Sequence, residues 1–232
     1  MLTLPIRDVL PATPRARIVR LDVDGRTFDY AAGQAVLIGT HGSEIRKPYS
    51  LASSPEDATR DGFVELLIGV NAEGSAGPHL ALEPGHLVDV EGPAGTFTFP
   101  DHPAERNFVF VAGGTGIAPL RAMLRHAILG PYTTRHVGLL YSARTPDDFA
   151  FVDEFRALAA GGMIDFRQTI TRDTEQDWTG ARGRIDRAAL AALVREPDTL
   201  CFVCGPAAMV DEMPRLLEEL GVPRERIRIE EW

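Results

Sequence analysis

The chain has 232 residues, of which 44% are hydrophobic and 25% are charged, and its formal net charge is -9 at pH 7. This length suggests one large or two small domains, with enough residues to bury a core without disulfides or a metal. The acidic balance argues against a nucleic-acid-binding protein, which usually presents a basic stripe, and no run reaches the roughly 20 apolar residues of a membrane span.

The first part of the chain, residues 1–101, is predicted to form β structure. Short apolar runs alternate with turn signals such as DG, EG and PG, and the runs are RARIVRLDV, AVLIG, IRKPYSLAS, FVELLIGV and LVDVEGP. Only residues 77–82 offer room for a short helix. Short strands at near-regular spacing predict an antiparallel barrel or sandwich.

The pattern changes after the PDHPAER segment, where strands begin to alternate with helices. The predicted strands are NFVFVAGG, HVGLLYS, MIDFRQTI, TLCFVCG and RIRIEEW. The predicted helices follow Gly116, begin at Pro146 with Thr145 or Asp147 as cap, and cover 186–194 and 206–220. This alternation predicts a parallel sheet covered by helices, and it places two domains at 1–101 and 102–232.

The two cysteines, Cys201 and Cys204, form a single C-x-x-C pair. Without a second pair the chain lacks the ligands for a four-cysteine zinc site or a cysteine-ligated iron–sulfur cluster. Positions three apart on a strand face opposite sides, which argues against a disulfide. We expect no metal site and, from the low cysteine content, a cytoplasmic protein. The six scattered histidines are interpreted as surface or loop residues.

A glycine-rich segment, AGGTGIAP, stands between a buried strand and a helix. Gly113, Gly114, Thr115 and Gly116 would lie beyond the carboxyl end of a parallel strand, where ligands bind in such sheets. Glycines allow close backbone approach, and the free N–H groups of a helix start suit a phosphate. The alternative is a tight strand–helix turn that binds nothing.

The longer string AGGTGIAPLRAML resembles the pyridine-nucleotide loop of the ferredoxin–NADP reductase superfamily. KPYSLAS resembles its R-x-Y-S flavin block, EGPAGTF the turn at the end of its barrel, CGPAAM the block facing the nicotinamide, and IEEW its acidic-then-aromatic ending. These blocks occur in family order over nearly the whole chain. The resemblance implies an FAD-binding Greek-key β-barrel over 1–101 and a Rossmann-like NAD(P)H-binding α/β domain over 102–232.

For the flavin, the resemblance implies contacts from the KPYS block. Tyr49 would stack on the isoalloxazine ring and Ser50 would donate a hydrogen bond near N5, with Pro48 between Lys47 and Tyr49. Lys47 stands where the family has arginine, so it supplies a cation for the flavin phosphate without a bidentate fork. The alternatives are an ordinary half-buried strand tyrosine and an ordinary strand serine.

A second flavin segment contains Gly74, Ser75 and Ala76. By resemblance, its backbone N–H groups receive the flavin pyrophosphate, which favours FAD over FMN. The alternative is a plain surface turn.

On the nucleotide side, the resemblance places Cys204, Gly205 and Pro206 beside the nicotinamide, with Cys204 near its reactive C4. A buried cysteine acting as a small hydrophobe is compatible with that role. Glu230 matches the family carboxylate near the C-terminus, and Trp232 matches the aromatic residue that covers the flavin; the alternative for Trp232 is a frayed terminus. Ser50, Cys204 and Glu230 are the candidate catalytic residues.

The choice of hydride donor depends on the end of the second parallel strand. Arg144, together with Arg172, could hold a 2′-phosphate, which favours NADPH and leaves NADH open. The alternative is two solvated arginines.

Together these features predict a flavin-dependent oxidoreductase. It would take hydride from NAD(P)H onto bound FAD and pass electrons to a separate acceptor, namely a ferredoxin, an oxygenase component or a haem protein. The alternatives are a free flavin reductase, a non-catalytic flavin-holding subunit of a larger complex, and a nucleotide-sensing domain without flavin.

Overall fold

The structure is a computed structural model that describes residues 1–23, 25–132, 134–172 and 177–231. Its first sheet has six antiparallel strands in the order β4-β3-β6-β1-β2-β5. The strands are β1 (Leu2–Thr13), β2 (Ala16–Asp22), β3 (Ala35–Thr40), β4 (Lys47–Ser50), β5 (Phe63–Gly69) and β6 (Leu87–Ala94). A bridge between Leu51 and Leu66 joins the two edges, so the sheet closes into the predicted antiparallel barrel.

Strand β1 is the one barrel strand that the sequence pattern did not reveal. It contains Pro5 and Pro11, and proline is depleted in strands because it cannot donate a ladder hydrogen bond. The pairing of β1 with β2 shifts register near both ends, between Ile6 and Asp8 and between Pro11 and Thr13. Long-range pairing with β2 and β6 therefore overrides the local propensity of this segment.

The barrel carries a helix, α1 (Pro55–Asp61), at a place where none was predicted. Ser54 caps it by accepting a hydrogen bond from the Asp57 N–H, and proline occupies the first turn, so the SSPED pattern was a readable signal. The prediction of a short helix at 77–82 is wrong, because these residues form turns and irregular backbone. The backbone there is bonded to the end of β3 instead, through the Thr40 N–H to the His79 carbonyl (2.8 Å).

The second sheet is parallel throughout, as predicted, in the order β10-β9-β8-β7-β11-β12. Its strands are β7 (Asn107–Gly113), β8 (His136–Ala143), β9 (Asp165–Ile170), β10 (Ala181–Arg182), β11 (Leu200–Gly205) and β12 (Ile227–Glu231). The helices are α2 (Ile117–Leu129), α3 (Val152–Ala160), α4 (Arg187–Ala191) and α5 (Ala207–Glu218). The central strands β7, β8 and β11 are buried along their length, which explains their continuous apolar runs.

The helix predicted to begin at Pro146 is interrupted. Residues 146–148 form a 3-10 turn capped by Thr145, and α3 begins only after Phe151, whose φ is 57°. Phe149 lies between these segments, with its ring centroid 5.0 Å from that of the buried Tyr141. The packing of Phe149 against Tyr141 therefore coincides with the break between the 3-10 turn and α3.

Aromatic residues join the barrel to the parallel sheet. The ring of Phe99 lies 4.9 Å from Phe108 of β7 and 5.6 Å from Phe202 of β11, between centroids. Both sheets thus share one continuous apolar cluster. Among the described residues, no helix has the length and apolar character needed to cross a membrane.

Candidate functional site

The glycine segment lies at the carboxyl end of β7. Gly113 is the last residue of the strand, and residues 114–116 form a 3-10 turn that leads directly into α2. Gly114 has a φ of 56°, in the left-handed region that favours glycine. The hydroxyl of the buried Tyr141 donates to the Gly114 carbonyl (3.0 Å), so the neighbouring strand β8 holds this turn from beneath.

Gly113 and Gly205 let the ends of β7 and β11 pack closely. A Cβ on Gly205 would overlap Met209 Cε and lie 3.2 Å from Gly113 Cα, and a Cβ on Gly113 would lie 2.9 Å from Pro206 Cδ. The rigid Pro206 ring leaves little room for a side chain on Gly113, and the glycines allow the ends of β7 and β11 to lie close together.

A cleft of about 450 Å³ opens at this place, between the barrel and the parallel sheet. The barrel contributes Thr13, Arg15 and Leu67, and the opposite wall includes the 3-10 turn that precedes α2 and the first residues of α5. Neither helix has a side-chain cap or an acidic residue in its first turn. The glycine turn before α2 and the uncapped N-terminus of α5 make the cleft a fitting site for a ligand with more than one phosphate.

Arginines line the rim of the cleft. Arg15, Arg144 and Arg184 all contribute to its lining, and the Arg172 N–H bonds the Arg144 carbonyl (2.9 Å). Arg15 Nη2 lies 2.6 Å from Asp148 Oδ2, so an ion pair links the barrel to the turn after β8. Sequence reasoning missed Arg15 and gave Arg184 no role, since their proximity to the cleft depends on how the two sheets pack.

The KPYS block forms β4, on the barrel. Lys47 and Pro48 are exposed, whereas Tyr49 and Ser50 are half-buried. The Tyr49 hydroxyl lies 2.8 Å from His79 Nε2, and the two rings are nearly parallel with centroids 6.1 Å apart. A half-exposed aromatic ring beside an exposed lysine fits the flavin contacts that the sequence predicts.

His79 lies in a loop, as predicted, but it is not at the surface, because it is 1% exposed. Burial, with a smaller contribution from Lys47, lowers the pKa of His79, and burial raises the pKa of Tyr49. The pair is therefore neutral near pH 7. The interpretation as a surface or loop residue is wrong for His126, which lies on α2. Its Nδ1 is 2.8 Å from Glu56 Oε1, and its Nε2 is 2.7 Å from the Tyr132 hydroxyl.

The loop around Gly74, Ser75 and Ala76 follows β5, with a φ of 80° at Gly74. Some of its N–H groups are already bonded within the loop: Ser75 N–H donates to Asn71 Oδ1 (2.8 Å) and Gly77 N–H to Ser75 Oγ (3.0 Å). The guanidinium of Arg17 lies beside the loop, 3.5 Å from a Cβ built on Gly74. Arg17 is a cation near the predicted phosphate loop that sequence reasoning did not single out.

Cys201 and Cys204 are both free and buried. They belong to apolar clusters on opposite faces of the parallel sheet, as the strand geometry predicts. Burial, aided by the nearby Glu230 carboxylate, raises the pKa of Cys204 well above its usual range. Burial also raises the pKa of Glu230. Trp232 lies outside the described residues.

The structure brings only part of the predicted set into one cavity. Gly113, Gly114, Thr115, Arg144 and Pro206 line the cleft. Within the described part of the chain, the lining includes neither the β4 residues nor Cys204, so the two halves of the predicted site are adjacent regions rather than one pocket.

Comparison with known proteins gives matches for both halves of the chain. Residues 7–99 match the family model described as oxidoreductase FAD-binding domain, and residues 110–214 match that described as oxidoreductase NAD-binding domain. The chain is 36% identical over 239 residues to ferredoxin–NADP reductase B of Sorangium cellulosum, covering 97% of this chain and 94% of that protein.

Two further relatives are similar over nearly all of this chain. The reductase component of propane 2-monooxygenase from Rhodococcus jostii is 30% identical, covering 97% of this chain and 63% of that protein. The solved ferredoxin reductase in carbazole 1,9a-dioxygenase superposes with a TM-score of 0.82 at 28% identity, covering 99% of this chain and 68% of that one.

Proposed function

Because the chain belongs to the ferredoxin–NADP reductase family, we propose that it carries electrons from NADPH through bound FAD to a separate acceptor protein. Membership makes it an NAD(P)H-dependent flavoprotein reductase with FAD as its cofactor. FAD, when bound, supplies the redox chemistry by accepting a hydride from a reduced nicotinamide and releasing electrons singly. The protein's part is to bind, orient and shield the two cofactors.

The observation that carries the proposal is the cleft lined by the glycine turn before α2 and by the uncapped N-terminus of α5. Gly114 and Thr115 would receive the dinucleotide pyrophosphate there, because phosphates bind at free helix N–H groups. Gly205 and Pro206, at the neighbouring strand end, would border the nicotinamide. Cys204 would pack beside it as a neutral thiol, because its raised pKa excludes a thiolate at pH 7.

On the barrel, Tyr49 would stack on the flavin ring and Ser50 would donate to it. The buried His79 fixes the Tyr49 hydroxyl and so orients the ring. Lys47, with Arg17 beside Gly74, would neutralise the flavin phosphates, assisted by the loop of Ser75 and Ala76. Glu230 would border the ring from the parallel sheet, and Trp232 stays a prediction.

The preference for NADPH rests on the arginines of the rim. Arg144 and Arg184 line the cleft, and the backbone bond to Arg172 brings a third arginine beside them. Charge-assisted hydrogen bonds from guanidinium groups suit a 2′-phosphate. We place the division between the cofactor domains at 101/102, in the segment between the end of β6 at Ala94 and the start of β7 at Asn107.

The acceptor we propose is a ferredoxin or an oxygenase component, since similar proteins bear the names ferredoxin–NADP reductase and monooxygenase reductase component. A haem protein is the remaining candidate. The cytoplasmic location stays a prediction.

Anaerobic rapid mixing of the FAD-loaded protein with NADPH or NADH tests the proposal. The flavin absorbance should bleach with both donors and faster with NADPH, and the flavin should stay with the protein during gel filtration. Absence of bleaching with either donor would overturn the proposal. Loss of the flavin on reduction would instead indicate a free flavin reductase.

A further inference from the structure

Helix α2 connects the glycine turn to the interface between barrel and parallel sheet. It begins at Ile117, and Arg121 lies one turn further along. At about 1.5 Å per residue, Arg121 is therefore only about 7 Å along the helix axis from Gly116. Arg121 is 7% exposed, although arginine is almost never buried unless it is paired.

The Arg121 guanidinium makes hydrogen bonds in three directions. Nη1 donates to the Ala52 carbonyl (2.8 Å) and to Glu65 Oε2 (2.8 Å), and Nε donates to Glu154 Oε2 (2.8 Å). Its carbon also lies 4.3 Å from the centroid of the Phe151 ring. One side chain thus contacts the barrel through Ala52 and Glu65 and the α/β domain through Glu154 and Phe151.

Ala52 is a significant partner because it follows β4 by two residues. The Ala52 N–H bonds the Glu65 carbonyl (2.7 Å), and Leu51 forms the bridge that closes the barrel. The carbonyl that Arg121 holds therefore belongs to a rigid segment joined directly to Tyr49 and Ser50. A single side chain links the helix of the nucleotide turn to the strand of the flavin block.

A neighbouring arginine provides a comparison. Arg125 lies one turn further along the same face of α2; it is paired across the interface to Asp57 Oδ1 (2.7 Å) and within the α/β domain to Glu154 Oε1 (2.8 Å). Asp57 lies on α1, where it hydrogen-bonds the cap residue Ser54. Arg125 therefore shares the charge, the helix and the partner Glu154 with Arg121 and lacks the bond to the β4 segment.

We propose that Arg121 is a positioning residue, which sets the distance and orientation between the nucleotide turn and the strand carrying Tyr49 and Ser50. This inference rests on the proposed function. Buried ion pairs contribute little net stability. The planar Arg121 guanidinium instead fixes the relative orientation of the groups that it bonds. The rate of hydride transfer between two bound cofactors depends on that orientation, since displacing the reacting groups by about 1 Å can lower the rate about 100-fold.

The test compares Arg121→Met, which conserves the apolar stem, with Arg121→Lys and with the control Arg125→Met. In the protein without cofactors, amide hydrogen exchange should rise in residues 47–54 and 113–121 for Arg121→Met. It should rise around α1 for Arg125→Met. This readout is independent of activity.

With cofactors bound, Arg121→Met should lower the limiting rate of flavin reduction by NADPH about 10- to 100-fold while the flavin content and the NADPH dissociation constant stay unchanged. Arg121→Lys should restore part of the rate, since lysine keeps the charge and can make one of the bonds. Arg125→Met should keep nearly the wild-type rate.

Two results would overturn the inference: wild-type reduction rates in Arg121→Met, or equal slowing in Arg125→Met, which would indicate general loosening of the interface. If Arg121→Met does not fold, Arg121→Lys is compared with Arg125→Lys, and equal rates in those two would overturn it. Failure of the wild-type protein to be reduced by NADPH would count against the proposed function instead.

Discussion

Cys204 and Glu230 are Cα partners on the adjacent parallel strands β11 and β12. The thiol is 1% exposed, and burial together with the carboxylate raises its pKa. Cys204, the second cysteine of the C-x-x-C pair, is therefore a neutral thiol at the end of a strand. Its low reactivity follows from its burial beside the Glu230 carboxylate.

Neither cysteine should react with iodoacetamide at about pH 8 in the folded protein, because the thiolate is the reactive form and burial suppresses it. Burial raises the pKa of Cys201 to about 12. Mass spectrometry should find both thiols unmodified, and both should be alkylated after unfolding in urea. Rapid alkylation of native Cys204 would contradict the neutral thiol assigned to it.

Gly114→Val should weaken NADPH binding about tenfold or more while leaving FAD content unchanged, because a side chain at a φ of 56° strains the turn at a cost of about 1–3 kcal/mol. Nucleotide titration and flavin absorbance measure the two effects. The matched control is Gly162→Val, which has a φ of 72° and no heavy atom within 4 Å of the added Cβ. Equal loss of both cofactors in Gly114→Val would mean that the turn serves folding alone.

Arg144→Ala should raise the KM for NADPH about 10- to 100-fold and change the KM for NADH little, because a charge-assisted hydrogen bond to a 2′-phosphate contributes about 1.5–3 kcal/mol. Steady-state kinetics with each donor measure the two KM values and hence the preference for NADPH over NADH. Arg135→Ala is the control, since Arg135 is exposed and precedes β8 at the opposite end of the strand. Parallel changes for both donors would remove the assignment of Arg144 to the 2′-phosphate.

Lys47 offers a direct test of the flavin phosphate contact, because it is the only lysine in the chain. An amine-reactive acylating reagent should modify Lys47 in the protein without flavin and should modify it much more slowly when FAD is bound. The α-amino group of the exposed Met1 serves as an internal control for reagent activity. Equal labelling with and without FAD would exclude a close contact.

Acid should destabilise the fold partly through His136. The side chain is 8% exposed, and within the described structure neither ring nitrogen has a partner. Burial, reinforced by Arg195 and opposed by Asp165, lowers the pKa of His136. The unfolded chain therefore binds the proton more tightly, and stability should be lost as the pH falls below about 6.5.

Thermal unfolding at about pH 7 and at about pH 5 measures this loss of stability. Both pH values lie above the usual pKa of Asp and Glu side chains, so ordinary carboxylates contribute little to the difference. His136→Gln should show a smaller drop in Tm between the two values than the wild type, because glutamine does not titrate. His86→Gln is the control, since the His86 side chain is 47% exposed. An unchanged drop in His136→Gln would show that this histidine does not govern the acid sensitivity.

The sequence by itself determined the two architectures and the nucleotide turn. Short apolar runs between turn residues identify the barrel, and apolar runs that alternate with helices identify the parallel sheet, because buried strands leave that pattern locally. AGGTGIAP and CGP could be placed at strand ends for the same reason. The Ser54 cap of α1 is also a local signal, since serine followed by proline and two acidic residues is typical of a helix start.

Only the tertiary structure decided which distant side chains meet. The bond from Arg121 to the Ala52 carbonyl joins residues 69 apart, and that between Tyr49 and His79 spans 30. The pairing of Arg15 with Asp148 likewise joins the barrel to the turn after β8. Such contacts depend on how the barrel docks against the sheet, and a local hydrophobic period carries no information about that docking.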